Sequence, residues 1–391
     1  MRNADVLIIG GGLVGCATAW HLASAGADVL LLEANQVGMG ASGQNAGSLH
    51  FQLERRFLES SDAQAAQASQ TAALSRLAIE DWRSLESALN ADLHVTMNGG
   101  LMVAEDAEQV ALLERKITRE NEEGLNTRLL EGEEARAIAP YLSPQIVAAG
   151  YSPDEGYADA RYVTRAFANA AKQQGADLRS RSRVHAVERS GTGFEVQYEN
   201  GRAKAERLLI ACGVWTPHIC AMINLHMPLY PVALLMNATE RTDHHVPHLV
   251  QHVGRRLSMK QTGAGNLLIG GGWPSRLAQK ADGNFDLARR PQMIEASLAG
   301  NLRAAIDTIP FVESLNLIRS WTGMTAISAD QLPIVGEVPR MPGCWIAGGG
   351  SAFTLGPTFA RLVAQQMAGK PADELDIVSP ARFEHLNSFM G

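Results

Sequence analysis

The chain has 391 residues, 46% apolar and 19% charged, with a formal net charge of −7. It is long enough for a large core and about two domains, and its composition is that of a soluble globular protein. The acidic balance argues against nucleic acid or an anionic membrane as the main partner.

Asp5 to Ile9 is an apolar run that reads as a buried parallel strand. Gly10, Gly12 and Gly15 follow in G-x-G-x-x-G spacing, and Cys16 to Ala25 reads as a helix closed by Gly26. Asp28 to Leu32 is a second strand, ending at Glu33. Gly10 permits a tight turn, Gly12 lets backbone approach a pyrophosphate, and Gly15 lets helix and strand pack closely. The helix N-terminus offers free N–H groups to phosphate, and Glu33 offers acceptors to ribose hydroxyls. FAD and NAD share this fingerprint, so it specifies a dinucleotide without choosing between them. The start leads directly into the strand, which leaves no room for a signal peptide, and no apolar run reaches membrane-span length.

Ala34 to His50 is a long loop of small hydrogen-bonding residues, the kind that cradles a ligand. Ser61 to Ala91, with Leu74, Leu77, Ile79, Leu85 and Leu89 near helical period, predicts one or two amphipathic helices. A hairpin is expected at Leu93 to Val103 around Asn98-Gly99-Gly100, and helices at Ala107 to Gly124 and Tyr162 to Gln174. Asp177 to Val187 and Phe194 to Tyr198 read as strands. Arg207 to Gly213 repeats the logic of the first strand, an apolar run delivering small residues at its carboxyl end.

Pro228 to Gly272 alternates as antiparallel sheet does. His244, His245, His248 and His252 suggest a metal site, but Pro247 breaks the helix their spacing would need, so no metal is expected. A helix is expected at Ala288 to Ile306, a strand at Gly343 to Ala347, and a closing helix from Thr358 to Met367. Cys16, Cys212, Cys220 and Cys344 lie singly, as buried thiols of a reducing, cytoplasmic compartment do.

Four separated stretches carry a resemblance across nearly the whole chain. They are Gly10 to Gly15 with Glu33; Gly40 to Gly47; Leu209 to Trp215; and Arg319 to Gly323 with Asp330 to Gly336 and Gly348 to Pro357. Together they resemble the FAD-dependent D-amino acid oxidase superfamily, in particular its glycine oxidase and sarcosine oxidase branch. The resemblance implies FAD rather than NAD, and an α/β fold: a Rossmann-like FAD-binding domain (1–85, 146–222 and 323–391) plus a substrate domain with a mixed or antiparallel sheet and helices (86–145 and 223–322). It places cofactor contacts at Gly10, Gly12, Leu13, Val14, Gly15, Glu33 and Ala34, and along Ser42, Gly43, Gln44, Asn45, Ala46, Gly47, Ser48 and Leu49. It adds Val184 on the adenine side, Ala211, Cys212, Gly213 and Trp215, and then Gly348, Gly350, Ser351, Phe353, Thr354 and Leu355 around the flavin. The flavin is expected to be non-covalent, because Trp321 to Asp330 contains no cysteine of the kind that tethers it in monomeric sarcosine oxidases.

The implied reaction is oxidation of an amino acid or secondary amine at its C–N bond, by hydride transfer to flavin N5, giving an imine. Here the sequence departs from the pattern. Met324-Thr325 stands where glycine oxidases place an arginine, and His50 and Thr354 stand near the arginine and lysine positions of sarcosine oxidases. His50, Lys260 and Thr354 are therefore the candidate catalytic residues. The departures look more like the flavoprotein subunits of multi-subunit dehydrogenases acting on opines, D-hydroxyproline or glycine. This implies a partner flavoprotein or electron-acceptor subunit and slow reaction with oxygen. The alternative is a non-catalytic or electron-carrying subunit of a larger complex.

Overall fold

A computed structural model describes residues 1–58 and 67–390. Two eight-stranded sheets organise the chain. The main path of the first runs Ile334–Glu337, Cys344–Gly348, Gly201–Ile210, Arg2–Ile9, Val29–Leu32, Asp177–Arg179. From Cys344–Gly348 onward its neighbours are parallel. Parallel strands need crossovers that cover both faces, so their residues must be apolar on both sides. Val6 to Ile9 and Leu30 to Leu32 are buried accordingly. One face carries the helices Leu13–Ser24, Ala160–Gln173 and Gly356–Met367, which share an apolar cluster with it. The other face packs on Val187, Phe194, Ile219 and Leu229.

The second sheet runs Leu317–Ser328, Leu229–Arg241, Asn266–Gly270, Ser258–Gln261, Leu249–His252, Gly100–Ala104, Ala148–Ser152, Arg128–Glu131. It is antiparallel except where Leu249–His252 meets Gly100–Ala104. A two-stranded ribbon, Ser48–Leu49 with Gly156–Tyr157, is separate from both. Ala148–Ser152 belongs to the second sheet and Leu317–Ser328 crosses residue 323, so that sheet extends beyond the boundaries expected at 146 and 323.

Three elements differ from expectation, each for a local reason. No hairpin forms at Leu93 to Val103. Gly100–Ala104 pairs with Ala148–Ser152 instead, and a Cβ on Gly100 would lie 2.0 Å from the Glu155 carboxylate, so this glycine serves close approach rather than a turn. Asp177 to Val187 is interrupted: Arg181 takes φ +53°, and the Arg181 and Ser182 amides donate to the carbonyls of Asn35 and Glu33. The helix expected from Ala288 begins only at Glu295, since Gln292 is hydrogen-bonded to Arg276 and Pro291 precedes it. Ala72–Leu89 is helical as expected, with Leu74, Ile79, Leu85 and Leu89 buried. The part of the Ser61 to Ala91 expectation at 61–66 lies outside the described residues.

Candidate functional site

The site begins where the first strand ends. Gly10 takes φ +111°, and a Cβ there would sit 2.3 Å from the Ala211 carbonyl oxygen. At Gly15 it would sit 2.1 Å from the Gly10 oxygen, which is how strand and helix approach so closely. The helix Leu13–Ser24 therefore opens directly behind the turn. The Leu13 N–H donates to the Ser42 hydroxyl at 3.0 Å. Glu33 accepts from the amides of Gly11 at 2.8 Å and Asn35 at 2.7 Å. A Cβ at Gly12 would meet only the Ser42 oxygen, 3.2 Å away, so its open side is turned to free space.

That space is a cavity of about 690 Å³. Of the residues the sequence points to, Gly10, Gly12, Leu13, Val14, Glu33, Ala34, Ser42, Gln44, Val184, Ala211, Cys212, Gly213, Trp215 and Gly348 line it. Gly15, Gly43, Asn45, Ala46, Gly47, Ser48, Leu49, Gly350, Ser351, Phe353, Thr354 and Leu355 do not. The cavity also takes in Arg183, His185 and His218, the segment Leu287 to Pro291, and Thr322 to Ala326. No motif pointed to Leu287 to Pro291. The proline ending Arg289-Arg290-Pro291 was the available sign that the chain is not helical there.

One face of the second sheet meets the loop that follows Glu33. Met236 pairs with Trp321 and Leu234 with Gly323, so these four share a face. Ser258 and Lys260, opposite Gly270 and Leu268, continue it across the sheet. Three of these side chains reach across. The Trp321 indole N–H donates to the Gln44 carbonyl at 2.9 Å. The Ser258 hydroxyl lies 3.2 Å from His50 Nε2. The Lys260 ammonium donates to the Ala158 carbonyl at 2.8 Å and lies 4.4 Å from the centre of the Tyr157 ring.

His50 is thus brought to the second sheet, and Thr354 is beside it: the His50 amide donates to the Thr354 hydroxyl at 3.2 Å. Trp82, on the long helix Ala72–Leu89, donates to the Thr354 carbonyl at 2.7 Å and fixes that turn from behind. Lys260 lies nearer Gly47, whose Cβ would come 3.1 Å from Nζ. Burial holds the Lys260 ammonium down to about 7, against the pull of Asp159. Burial also lowers His50 below its ordinary value, opposed by Glu54 and aided by Lys260. A neutral imidazole is the form that results at neutral pH.

Behind His50 lies a buried polar network that no motif revealed. Glu155 accepts from the amides of Phe51 and Gln52, both at 3.0 Å, and from the Gln52 side chain at 2.7 Å. Lys116 donates to Gln52 at 2.7 Å and pairs with Glu120 at 2.8 Å, both fully buried on the helix Ala107–Glu122. Glu120 in turn accepts from the Leu53 amide. Removing one member of such a buried pair typically costs about 3–5 kcal/mol. The segment after His50 is therefore rigidly placed.

Three of the four histidines between His244 and His252 are taken up separately. His244 stacks on Phe311 with ring centres 4.1 Å apart, His248 Nδ1 lies 2.7 Å from the Tyr141 hydroxyl, and His252 Nδ1 accepts from the Gly254 and Arg255 amides. Among the described residues no group of three or more His, Cys, Asp or Glu could hold a metal ion, and no helix is long and apolar enough to cross a membrane.

The residues present fit a flavin dinucleotide. The glycine turn and the helix N-terminus suit a pyrophosphate. Ser48 Oγ and His50 Nδ1, on the loop expected over the flavin, are buried without a hydrogen-bond partner. Buried polar atoms rarely go unpaired in a completed site.

A family model described as DAO, FAD dependent oxidoreductase, matches residues 5–366. A subunit of the opine oxidase of Rhizobium meliloti is 28% identical over 98% of this chain and 99% of its own. Glycine oxidase of Geobacillus kaustophilus is 28% identical over 94% of this chain and 93% of its own. The crystal structure of glycine oxidase from Geobacillus kaustophilus superposes with a TM-score of 0.84, at 25% identity, covering 95% of this chain and 96% of that one.

Proposed function

The chain belongs to the DAO family of FAD-dependent oxidoreductases, and on that premise we propose that it oxidises the C–N bond of an amino acid or secondary amine to an imine. FAD, when bound, accepts the hydride from the carbon bearing the amine. The chain's own residues place the substrate, exclude water and offer hydrogen bonds.

The observation that carries this reading is the face of the second sheet set against the cofactor loop. Leu234, Met236 and Trp321 give it an apolar character suited to holding a substrate dry. His50, touching Ser258 and with Nδ1 unpartnered, supplies a neutral hydrogen-bonding group at its side. No nucleophile or metal is called for. The flavin is held non-covalently, since Gly323 and its neighbours offer no thiol. The reading places the enzyme in the cytoplasm.

For the electron acceptor, the reading favours a dehydrogenase. Leu268 and Thr354 are uncharged, and Lys260 is engaged by the Ala158 carbonyl. A free cation at one of these three positions would speed superoxide formation, and without one there the reaction with oxygen is slowed. A flavoprotein subunit within a larger complex is a second reading, supported by the likeness to a protein named as one subunit of an opine oxidase. Peroxide formation and dye reduction measured side by side on one substrate test the acceptor. Dye should be reduced much faster than peroxide appears. Equal rates would make the enzyme a plain oxidase.

A further inference from the structure

After the strand Asn266–Gly270 the chain stays bonded to Leu229–Arg241 as far as Ser275, whose amide donates to the Ala233 carbonyl, and then makes an excursion that ends before the helix Glu295–Thr308. Arg276 and Gln292 close the neck of this excursion with two main-chain hydrogen bonds of 2.8 Å. Gln279 pairs with Phe285, and the Lys280 amide donates to the Asn284 carbonyl in the turn between them. The returning limb is tied down twice. Leu287 packs on the cluster of Val214, Ile219 and Cys220, and the Pro291 carbonyl accepts from the Thr322 hydroxyl at 2.7 Å.

Between these two ties stand Arg289 and Arg290. Both are exposed, both line the cofactor cavity, and among the described residues neither is in an ion pair. The other charged residues of the lining are Arg183 and Glu33, and Glu33 is already engaged by two amides. The excess of cations makes the cavity a site for an anion. Two anions would serve, a phosphate of the dinucleotide or a carboxylate of the substrate. Gly10 to Leu13 and Ser42 line this cavity, whereas His50, Ser258, Lys260 and Thr354 do not. The arginines therefore share a compartment with the phosphate cradle, which Gly323 and Met324-Thr325 also line, and stand apart from His50, Ser258, Lys260 and Thr354.

We propose that Arg289 and Arg290 form a clamp on the pyrophosphate of FAD, delivered by a strap from the second sheet opposite the glycine turn. The proposal rests on the FAD reading and adds a second, charged half to its phosphate site. Guanidinium binds phosphate through paired N–H donors, an interaction stronger than a neutral hydrogen bond. The strap's two ties limit the entropy lost on closing over the cofactor.

The test is titration of flavin-stripped protein with FAD and with riboflavin, which lacks the phosphates, followed by flavin fluorescence. In the double variant Arg289→Ala/Arg290→Ala the Kd for FAD should rise about tenfold while that for riboflavin stays unchanged. Added salt should weaken FAD binding by the wild-type chain more than by the variant, because the contact is ionic. An unchanged FAD Kd, or an equal loss for riboflavin, overturns the clamp. An unchanged FAD Kd with a raised substrate KM assigns the arginines to a carboxylate instead. Arg290→Lys, which keeps the charge, should lose less than Arg290→Ala. A wild-type chain that takes up no flavin would instead sink the FAD reading, which is a different result.

Discussion

His50 Nε2 lies 3.2 Å from the hydroxyl of Ser258, a residue 208 positions away, and this contact ties the end of the cofactor loop to the second sheet. The contact lies beside Thr354, whose hydroxyl accepts from the His50 amide. Replacing His50 with Ala removes the contact and the free ring nitrogen together. We expect kcat/KM to fall about ten- to a hundredfold, the scale of one or two lost hydrogen bonds in a positioned site. Because burial keeps the imidazole neutral, the wild-type profile should show no inflection from His50 above its ordinary value. Steady-state kinetics across pH, on wild type and variant, check both statements.

Lys260 should reveal itself in stability. Its ammonium is buried and held at about 7, while in the unfolded chain it titrates near its ordinary value. Between those values the folded state binds fewer protons, so stability rises with pH across the window. Below about pH 7 the cost of the buried charge is fully felt. Lys260→Met should therefore raise the unfolding free energy measured in urea at about pH 6, by roughly 1–3 kcal/mol once the lost bond to Ala158 is deducted. At about pH 10 the gain should vanish. A variant less stable at pH 6 would show that the Ala158 bond and the Tyr157 ring outweigh desolvation.

Glu155 should give the opposite slope. Burial pushes its carboxyl up to about 7, against the amides of Gln52 and the Lys116 ammonium, with Glu120 adding to the rise. The folded state then binds more protons than the unfolded one from its ordinary value of 4.5 up to about 7, so stability falls as pH rises through that range. Glu155→Gln removes this dependence and turns an N–H₂ toward donors. It should cost about 1–3 kcal/mol and raise substrate KM as Phe51 and Gln52 shift. Urea unfolding at several pH values, with KM alongside, decides this.

The glycine turn gives a sharper test. Gly12→Val fills the open side that faces the cavity, and flavin should no longer bind. Wild-type protein precipitated with acid should release all its yellow colour to the supernatant, since Trp321 to Asp330 holds no cysteine to tether the ring. A flavin-loaded Gly12→Val, or colour in the wild-type pellet, would contradict one or the other expectation.

How far the sequence discloses this arrangement depends on the range of the interaction concerned. The strand, turn and helix at Asp5 to Gly26 are local, and burial periodicity and glycine spacing express them directly. The face shared by Met236, Trp321, Ser258 and Lys260 depends on register between distant strands, which no single stretch encodes. The pairing of Gly100 with the space beside Glu155 is likewise non-local, and two adjacent glycines read as a turn because that is their commoner use. Lys116 and Glu120 look like a solvated helical ion pair at i,i+4, and only tertiary packing reveals that they are buried.

The central claim is that this chain carries FAD and lets an amino acid or secondary amine reduce it. The most direct measurement is the visible spectrum of the purified protein under anaerobic conditions, before and after addition of glycine, sarcosine, D-proline and an opine in turn. The account predicts an oxidised flavin spectrum that bleaches with at least one of them. A flavin that stays oxidised with every amine, while dithionite still reduces it, would contradict the account and leave an electron-carrying subunit in its place.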